Sequence, residues 1–269
     1  MRLDQLRRRV GPFLLRRTKE EVATDLPPKQ EQVIEVELSP RHQQVYQRHL
    51  QRERQKILGL IQDENALDAN RFLILRSLTM LRQLSLDPSL IDDAYDDIPS
   101  SKLDVVMEQL VSVVDSGHRV LVFSQFTRFL ARARDRLDTL GIDHCQLDGK
   151  TRNRAEVIER FQAGEAPVFL ISLKAGGFGL NLTEADYCIL LDPWWNPAAE
   201  AQAIDRTHRI GQTKSVMVYR YVAKATIEEK VMALKAGKAR LFNDVLGKGD
   251  GSGAARVPLT AAEIRELIA

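Results

Sequence analysis

The feature that most constrains the fold is a regular alternation of short apolar segments and helical segments in the second half of the chain. Predicted strands lie at 119–124, 143–147, 167–172, 187–191 and 216–222. One predicted helix, 101–115, precedes the first strand, and others lie between strands at 126–140, 151–162 and 197–209. Short, uniformly apolar strands separated by helices are typical of a parallel sheet with helices on both faces. The sequence therefore predicts a doubly wound α/β domain with three layers.

Residues 1 to about 100 lack this alternation and are predicted to form a helical appendage, with a strand at 32–38. A long polar helix follows, with Ser39 as its N-cap and Pro40 at its first helical position. A second helix, about 69–86, carries an apolar stripe that we assign to packing. The stripe consists of Phe72, Leu75, Leu78, Leu81 and Leu84.

The C-terminal end of the chain is predicted to contain a helix at 225–245, a glycine-rich linker at 246–256 and a short final helix. Thr260 is the predicted N-cap of the final helix, because Glu263 stands three residues after it, as in a capping box.

Composition excludes a membrane-spanning protein, because no apolar run approaches the roughly 20 residues that a bilayer requires. The net charge of +2 does not by itself indicate a nucleic-acid binder. Cys145 and Cys188 fall in predicted strands, which predicts buried, reduced thiols and a reducing compartment.

The segment QAIDRTHRIGQ (202–212) is the most informative candidate site. Gln202, Arg206 and Arg209 are spaced i, i+4 and i+7, so a helix would place them on one stripe. Two convergent guanidinium groups suit the transferred γ-phosphate of a nucleotide, whose negative charge must be stabilised. The alternative is that both arginines are solvated surface charges, as arginines on one helix face usually are.

A glycine-rich segment, LISLKAGGFGLNLTEAD (170–186), begins at the end of the third predicted strand of the alternating region. Glycines bring bare amides to an anion, and Lys174 adds charge, so the loop is predicted to contact phosphate. A tight turn needed only for chain reversal is the alternative. The loop also imitates the dinucleotide-binding spacing, with Leu182 replacing the third glycine. Its candidate residues are Ser172, Lys174, Gly176, Gly177 and Gly179.

Two further segments bear on function. Trp194 and Trp195 stand between two prolines directly before the arginine segment, where tryptophans usually serve as packing anchors. The only GKT, at 149–151, has His144 where a phosphate-binding P-loop needs its first glycine, so it is not a Walker motif. The sequence therefore predicts no complete ATP-hydrolysing centre in this chain.

The motifs occur in a fixed order: RVLVFSQFT (119–127), LDGKTRNR (147–154), LISLKAGGFGLNLTEAD (170–186), DPWWNP (192–197) and QAIDRTHRIGQ (202–212). In this order they resemble the C-terminal motor motifs of the Swi/Snf-type DNA translocases, a branch of the superfamily-two helicases. The resemblance extends upstream through 12–31 and 77–91, and downstream through 218–241. One departure is Asp87-Pro88, where that family commonly has His-Pro. The resemblance implies a RecA-like lobe with a helical protrusion and a C-terminal bracing helix.

The resemblance also implies roles for individual residues. Arg206 and Arg209 look like the arginine fingers that reach ATP across a lobe interface, with Gln202 beside them. Gly177 and Gly179 resemble nucleotide-side loop glycines. The residues that resemble DNA-phosphate contacts are Ser124, Gln125, Gly149, Lys150, Thr151, Ser172 and Lys174, with Trp195 close to the DNA. ATP with Mg²⁺ would bind mainly to an N-terminal lobe that this chain lacks.

The implied domains are 1–38, a linker from the first lobe; 39–100, the helical protrusion; 101–223, the RecA-like lobe; and 224–269, the brace, linker and final helix.

Expected partners are double-stranded DNA, the N-terminal ATP-binding lobe of the same protein and, as a further class, a DNA-bound complex such as polymerase or a nucleosome. The expected location is the nucleoid of a prokaryote or the nucleus of a eukaryote. We expect the isolated chain to lack ATPase activity. The alternatives are a non-catalytic nucleic-acid-binding scaffold, an RNA helicase lobe and a Rossmann-type cofactor enzyme.

Overall fold

The computed structural model describes residues 23, 25–61, 64–173, 180–195, 197–246 and 259–269. The described strands form one sheet in the order β1-β6-β5-β2-β4-β3, and every pairing between neighbours is parallel. This confirms the predicted doubly wound α/β fold. The strands are β1 (Lys29–Val36), β2 (Val120–Ser124), β3 (His144–Leu147), β4 (Val168–Ser172), β5 (Tyr187–Leu190) and β6 (Val216–Ala223).

The described helices follow the predicted order. They are α1 (Pro40–Leu60), α2 (Glu64–Leu86), α3 (Ser101–Asp115), α4 (Thr127–Leu140), α5 (Arg154–Gln162), α6 (Pro197–Ile204), α7 (Ile227–Leu246) and α8 (Ala261–Leu267). The prediction is exact for α3, but α6 is five residues shorter than predicted. None of the described helices is both long enough and apolar enough to cross a membrane.

The strand β1 belongs to the same sheet as the strands of the alternating region. It pairs with β6 along its whole length, from Lys29 opposite Val216 to Val36 opposite Ala223. Most of its side chains are exposed, which is usual for a strand at the edge of a sheet. The predicted boundary at residue 38 stays a prediction, but the strand before it is an edge strand of the α/β lobe.

Two hydrophobic clusters cover the two faces of the sheet. Successive residues of a strand point to opposite faces, so Val120 and Val122 of β2 pack with α3 and α4, whereas Leu121 and Phe123 pack on the other side. Cys145 and Cys188 lie in the second cluster as free, buried thiols, as predicted. Burial raises the pKa of Cys188 to about 12.

A third cluster joins α1 and α2 to α7 and α8. The Ser39 hydroxyl caps α1 by accepting a hydrogen bond from the His42 amide (3.4 Å), and Pro40 begins the helix, as predicted. The Tyr46 hydroxyl accepts a hydrogen bond from the Ile227 amide at the start of α7 (2.7 Å). The predicted capping box of Thr260 and Glu263 begins α8.

The packing assignment for the α2 stripe is only half right. Leu78, Leu81 and Leu84 are buried, but Phe72 is 77% exposed and Leu75 is 44% exposed. The N-terminal half of α2 buries Ile74 in the cluster that also contains Ile57 and Ile61 of α1. The stripe extends farther toward the N-terminus of α2 than the core that covers Leu78, Leu81 and Leu84. Helical spacing alone therefore overestimated the burial of the stripe.

Asp87, which departs from the His-Pro pattern, has a structural role of its own. Its carboxylate accepts hydrogen bonds from the Ser89 amide (2.9 Å) and hydroxyl (2.7 Å), which caps a short 3₁₀ helix at Pro88–Leu90. Its second oxygen pairs with Nε of Arg132 on α4 (3.3 Å). The substitution is therefore accommodated by local packing.

Candidate functional site

The carboxyl ends of β2, β4 and β5 meet at one edge of the sheet, which we call the carboxyl edge. Ser124 and Ser172 lie opposite each other in register at the ends of β2 and β4. The Leu173 amide donates to the Ser124 carbonyl (3.0 Å), and the Leu191 amide donates to the Phe123 carbonyl (2.9 Å). Ligands of open parallel sheets gather at this edge. The structure thus brings the predicted residues of these two strand ends together.

Asp192, to which sequence reasoning gave no role, organises this edge from the end of β5. Its buried carboxylate accepts hydrogen bonds from the Ser124 hydroxyl, the Gln125 amide (3.2 Å) and Nε2 of Gln125 (2.5 Å). Ser124 and Ser172 are buried as well. In the described structure the Ser124 hydroxyl is taken up by Asp192, and the predicted DNA contacts of Ser124 and Ser172 stay predictions.

Arg82 on α2 is a second residue that the sequence prediction missed. The side chain is 2% exposed, and its guanidinium donates to Oε1 of Gln125 (3.1 Å) and to the Pro193 carbonyl (2.5 Å). The same guanidinium lies 5.2 Å from the ring centre of Trp195 and 5.5 Å from that of Phe126. The helical protrusion is therefore fixed to the carboxyl edge through one buried cation.

Glu200 of α6 holds the same tryptophan segment from the other side. Its carboxylate accepts hydrogen bonds from the Trp194 amide (2.6 Å) and from Nζ of Lys235 on α7 (2.6 Å). Arg220 of β6 donates to it as well (3.4 Å). Trp195 packs against the cluster of α1, α2, α7 and α8. Trp195 therefore packs against the protrusion and stays partly exposed at the edge, and its predicted DNA contact stays a prediction.

A second buried ion pair braces the lobe against α7. Nζ of Lys102 contacts Oε2 of Glu228 (2.5 Å) and donates to the carbonyls of Leu191 (3.0 Å) and Tyr221 (3.2 Å). Both charged side chains are essentially inaccessible to water. The ends of β5 and β6 are thereby fixed to the first turns of α3 and α7.

The two candidate arginines lie after a helix rather than on one. Because α6 ends at Ile204, Arg206 and Arg209 occupy the turns that follow, and the predicted helical stripe with Gln202 is wrong. Arg206 is 8% exposed, whereas Gln202 and Arg209 are exposed. Burial, and then the nearby charge of Arg209, lower the pKa of Arg206. The two arginines therefore remain neighbours in the turn, although they do not share a helical stripe.

The side chain of Gln212 holds the turn that follows the end of α6. Its Nε2 donates to the carbonyls of Thr183 (3.0 Å), Ala185 (2.9 Å) and Thr207 (3.1 Å). Its Oε1 accepts from the next two amides of the chain, each at 2.9 Å. The turn is thus tied to the segment that ends the glycine-rich loop. Within the part of the chain that the structure describes, no carboxylate pairs with the guanidinium of Arg206 or Arg209.

The turn after β3 is held by Asp148. Oδ1 of Asp148 accepts from the Lys150 amide (2.8 Å) and from the Thr151 hydroxyl (3.3 Å). Gly149 and Lys150 are exposed, and Thr151 is half-buried. The predicted loop residues Lys174, Gly176, Gly177 and Gly179 lie outside the described residues, so their predicted roles stay predictions.

This combination of fold and site defines a class of protein: a RecA-like lobe of the helicase type. The helicase conserved C-terminal domain matches residues 101–211, and the SNF2-related domain matches residues 1–90. The chain belongs to the SNF2 family of ATP-dependent helicases and ATPases.

Individual relatives agree with this assignment. The chain is 36% identical over 261 residues to human SWI/SNF-related matrix-associated actin-dependent regulator of chromatin subfamily A member 1. That alignment covers 92% of this chain and 24% of the relative, so the chain spans about a quarter of the length of this relative.

Two solved structures from Sulfolobus solfataricus have the same fold. The SWI2/SNF2 ATPase C-terminal domain superposes with a TM-score of 0.67 at 26% identity, covering 89% of this chain and 97% of that domain. The SWI2/SNF2 ATPase core in complex with dsDNA superposes with a TM-score of 0.68 at 29% identity, covering 98% of this chain and 55% of that core.

Proposed function

We propose that this chain is the C-terminal motor lobe of an ATP-dependent double-stranded DNA translocase or helicase-like remodeller. One observation carries the proposal: two neighbouring arginines without a carboxylate partner among the described residues lie in a turn fixed to the glycine-rich loop of a SNF2-family fold. The solved SWI2/SNF2 core in complex with dsDNA supports DNA as the substrate on which the motor acts.

On the nucleotide side, Arg206 and Arg209 act as the cations that stabilise the charge developing on the transferred phosphate. Arg206 is well placed for this role because it is held in a partly buried turn, and its Nε has no hydrogen-bond partner among the described residues. Gln202, Gly177 and Gly179 contribute further nucleotide contacts. ATP with Mg²⁺ binds mainly to a partner lobe, since the only GKT of this chain lacks the first glycine of a P-loop.

On the DNA side, the exposed groups of the carboxyl edge contact phosphates. The exposed turn at Gly149, Lys150 and Thr151 offers the ammonium group of Lys150, and Lys174 adds a second cation. Ser172 lies at the root of this surface. Gln125 and Trp195 complete it at the loops that Arg82 holds, and Ser124 lies beneath them, where its hydroxyl donates to Asp192.

A substitution of either arginine tests the proposal. Arg206→Ala or Arg209→Ala in the complete two-lobe protein should lower DNA-stimulated ATP turnover by roughly 10³-fold, because the developing charge loses its cation. DNA affinity should change by less than about threefold, because these groups contact the nucleotide rather than DNA. The matched control is Arg160→Ala, which removes an exposed arginine of α5 that pairs with Glu165 (3.3 Å).

The same assay separates the alternatives. A comparable loss of ATP turnover and DNA affinity in the Arg206 variant would indicate a structural role for the turn. Absence of ATP turnover in the unmodified complete protein would favour a non-catalytic nucleic-acid-binding scaffold, and stimulation by RNA in place of DNA would favour an RNA helicase lobe. For the motor, we propose a nuclear location in a eukaryote and a nucleoid location in a prokaryote.

A further inference from the structure

The outer face of α1 carries cationic and amide side chains and no exposed carboxylate. The exposed residues of this face are Arg41, Gln44, Arg48, Gln51, Arg52, Gln55 and Lys56, and we call them the α1 outer face. With 3.6 residues per turn, its four cations fall within an arc of about 80° around the helix axis. The only acidic residue of α1, Glu53, is buried and pairs with Lys56 (3.4 Å).

The positive charge of this face is only partly neutralised. Arg41, at the first turn, pairs with Asp97 (2.5 Å). Farther along, none of the described carboxylates forms an ion pair with Arg48 or Arg52. Burial, and then the charge of Arg52, lower the pKa of the neighbouring His49. A region of positive potential therefore extends over the C-terminal two thirds of the helix.

The helix that carries this face belongs to the protrusion that is fixed to the carboxyl edge. α2 is fixed to the carboxyl edge by the bonds of Arg82 to Gln125 and Pro193, and α1 packs on α2 through their shared cluster. A helix of 21 residues is about 30 Å long, which is the length of roughly nine base pairs of duplex. The protrusion therefore carries an elongated basic surface on the same rigid body as the proposed DNA contacts.

We propose that the α1 outer face binds the sugar-phosphate backbone of the duplex next to the segment held by the carboxyl edge; this inference rests on the proposed function. Guanidinium groups and amides are the usual donors to phosphate oxygens, and such contacts carry no sequence information. Arg48, Arg52 and Lys56 repeat every four residues, about 6 Å along the helix, so they present a continuous row of donors. The α1 outer face would extend the DNA-binding surface without adding sequence specificity.

Charge reversal tests the proposal in the complete two-lobe protein. Arg48→Glu together with Arg52→Glu should lower the affinity for a duplex of about 40 base pairs at least tenfold, and should reduce the slope of log K against log salt by about 2, because two phosphate contacts are lost. The matched control is Arg134→Glu with Arg136→Glu on α4, which makes the same change in net charge at two exposed arginines. Equal losses in the two variants would overturn the proposal.

A proximity measurement gives a second, independent result. Because both native thiols are buried, a cysteine introduced as Arg52→Cys can be labelled selectively with a DNA-cleaving iron chelate. The proposal predicts cuts in the duplex just outside the segment protected by the carboxyl edge, and none from the same label at Arg134→Cys. Cuts from neither position, or equal cuts from both, would contradict it and would leave an acidic protein as the partner to test.

The proposed function and the α1 inference can be disproved separately. If only the α1 inference is wrong, DNA still stimulates ATP turnover and the Arg206→Ala variant still loses it, while the α1 variant behaves like its α4 control. If the proposed function is wrong, DNA does not stimulate ATP turnover in any variant.

Discussion

Arg82 connects the helical protrusion to the loops at the carboxyl edge, and it does so as a buried cation. Its nearest carboxylate, Asp192, lies 3.6 Å away and is equally buried. Sequence reasoning missed the residue because a single arginine within an apolar helix, LTMLRQLSL, has the same pattern as a surface charge. Its role depends on Gln125 and Pro193, which are distant in sequence, so no local pattern could have assigned it.

The substitution Arg82→Met should destabilise the protein by about 3–5 kcal/mol, because it leaves Asp192 buried without its cation. Chemical denaturation measures the free energy of unfolding, and Arg134→Met provides an exposed control that should change it by less than about 0.5 kcal/mol. Adding Asp192→Asn to Arg82→Met should recover part of the loss. If Arg82→Met were no less stable than the control, the buried network would not hold the protrusion.

Cys188 gives a pH dependence whose sign follows from burial. Burial raises its pKa to about 12 in the folded protein, above the ordinary value of 9.0. Above pH 9 the unfolded chain loses this proton while the folded protein keeps it, so stability should fall by up to about 1.4 kcal/mol per pH unit between pH 9 and pH 12. Below pH 9 the group should contribute no pH dependence. Cys188→Ala should show a shallower decline of unfolding free energy over pH 9–11, and an unchanged slope would contradict this assignment.

At the scale of elements, the turn after α6 determines where the two arginines lie. Residues 205–209 continue a helical pattern in sequence, yet the helix ends at Ile204. The Thr207 hydroxyl donates to the Ile204 carbonyl (2.8 Å), and Gly211 takes a positive φ of 103°, a backbone conformation that favours glycine. The Gln212 side chain then fixes the turn to residues that precede β5. These tertiary contacts override the local helical preference, so the predicted stripe is absent, although Arg206 and Arg209 remain neighbours in the turn.

Gln212→Ala should therefore weaken ATP turnover without removing any group that contacts the nucleotide. Its five hydrogen bonds position the turn, so we expect turnover of the complete protein to fall at least tenfold and stability to fall by about 2–3 kcal/mol, as buried carbonyls lose their donor. Gln162→Ala, which removes one exposed hydrogen bond to the Asn181 carbonyl, is the control. An increased KM for ATP in the Gln212 variant would distinguish misplaced arginines from a general loss of folded protein. Unchanged ATP turnover and KM in the Gln212 variant would contradict the positioning role.

The sheet and the order of its elements could be predicted, because a strand that is buried on both faces is apolar at successive positions and can be recognised in the sequence. The ends of β2 and β4 were placed correctly for the same reason. The burial of Ser124 was not predictable, since it depends on Asp192 approaching from a strand more than sixty residues away. The exposure of Phe72 was missed, because helical spacing shows which side chains share a face of α2 but does not show whether another element packs on that face.

At the scale of the whole molecule, we propose that the chain is one lobe of a two-lobe motor. Two buried ion pairs and Glu200 fix the protrusion and α7 to the lobe, so these elements should move together with it. The proposed DNA contacts lie at the carboxyl edge, and the proposed role of the arginines is to contact a nucleotide that is held mainly by another lobe. ATP binding and hydrolysis would then change the position of this lobe relative to its partner.

DNA binding by the complete protein should be tolerant of sequence and strongly dependent on salt, because the proposed contacts are to phosphates. Raising salt from about 50 to 200 mM should lower affinity by at least tenfold for three or more phosphate contacts. Duplexes of different sequence and equal length should bind with similar affinity. An affinity that did not change with salt would contradict the proposed phosphate contacts.

The central claim is that the arginines act on ATP bound mainly by another lobe. Its most direct test is the rate of DNA-stimulated ATP hydrolysis by the purified 269-residue chain, alone and after addition of the N-terminal lobe. The account predicts no turnover by the chain alone, and turnover that appears with the added lobe and is lost in Arg206→Ala. Measurable DNA-stimulated turnover by the 269 residues alone would contradict it.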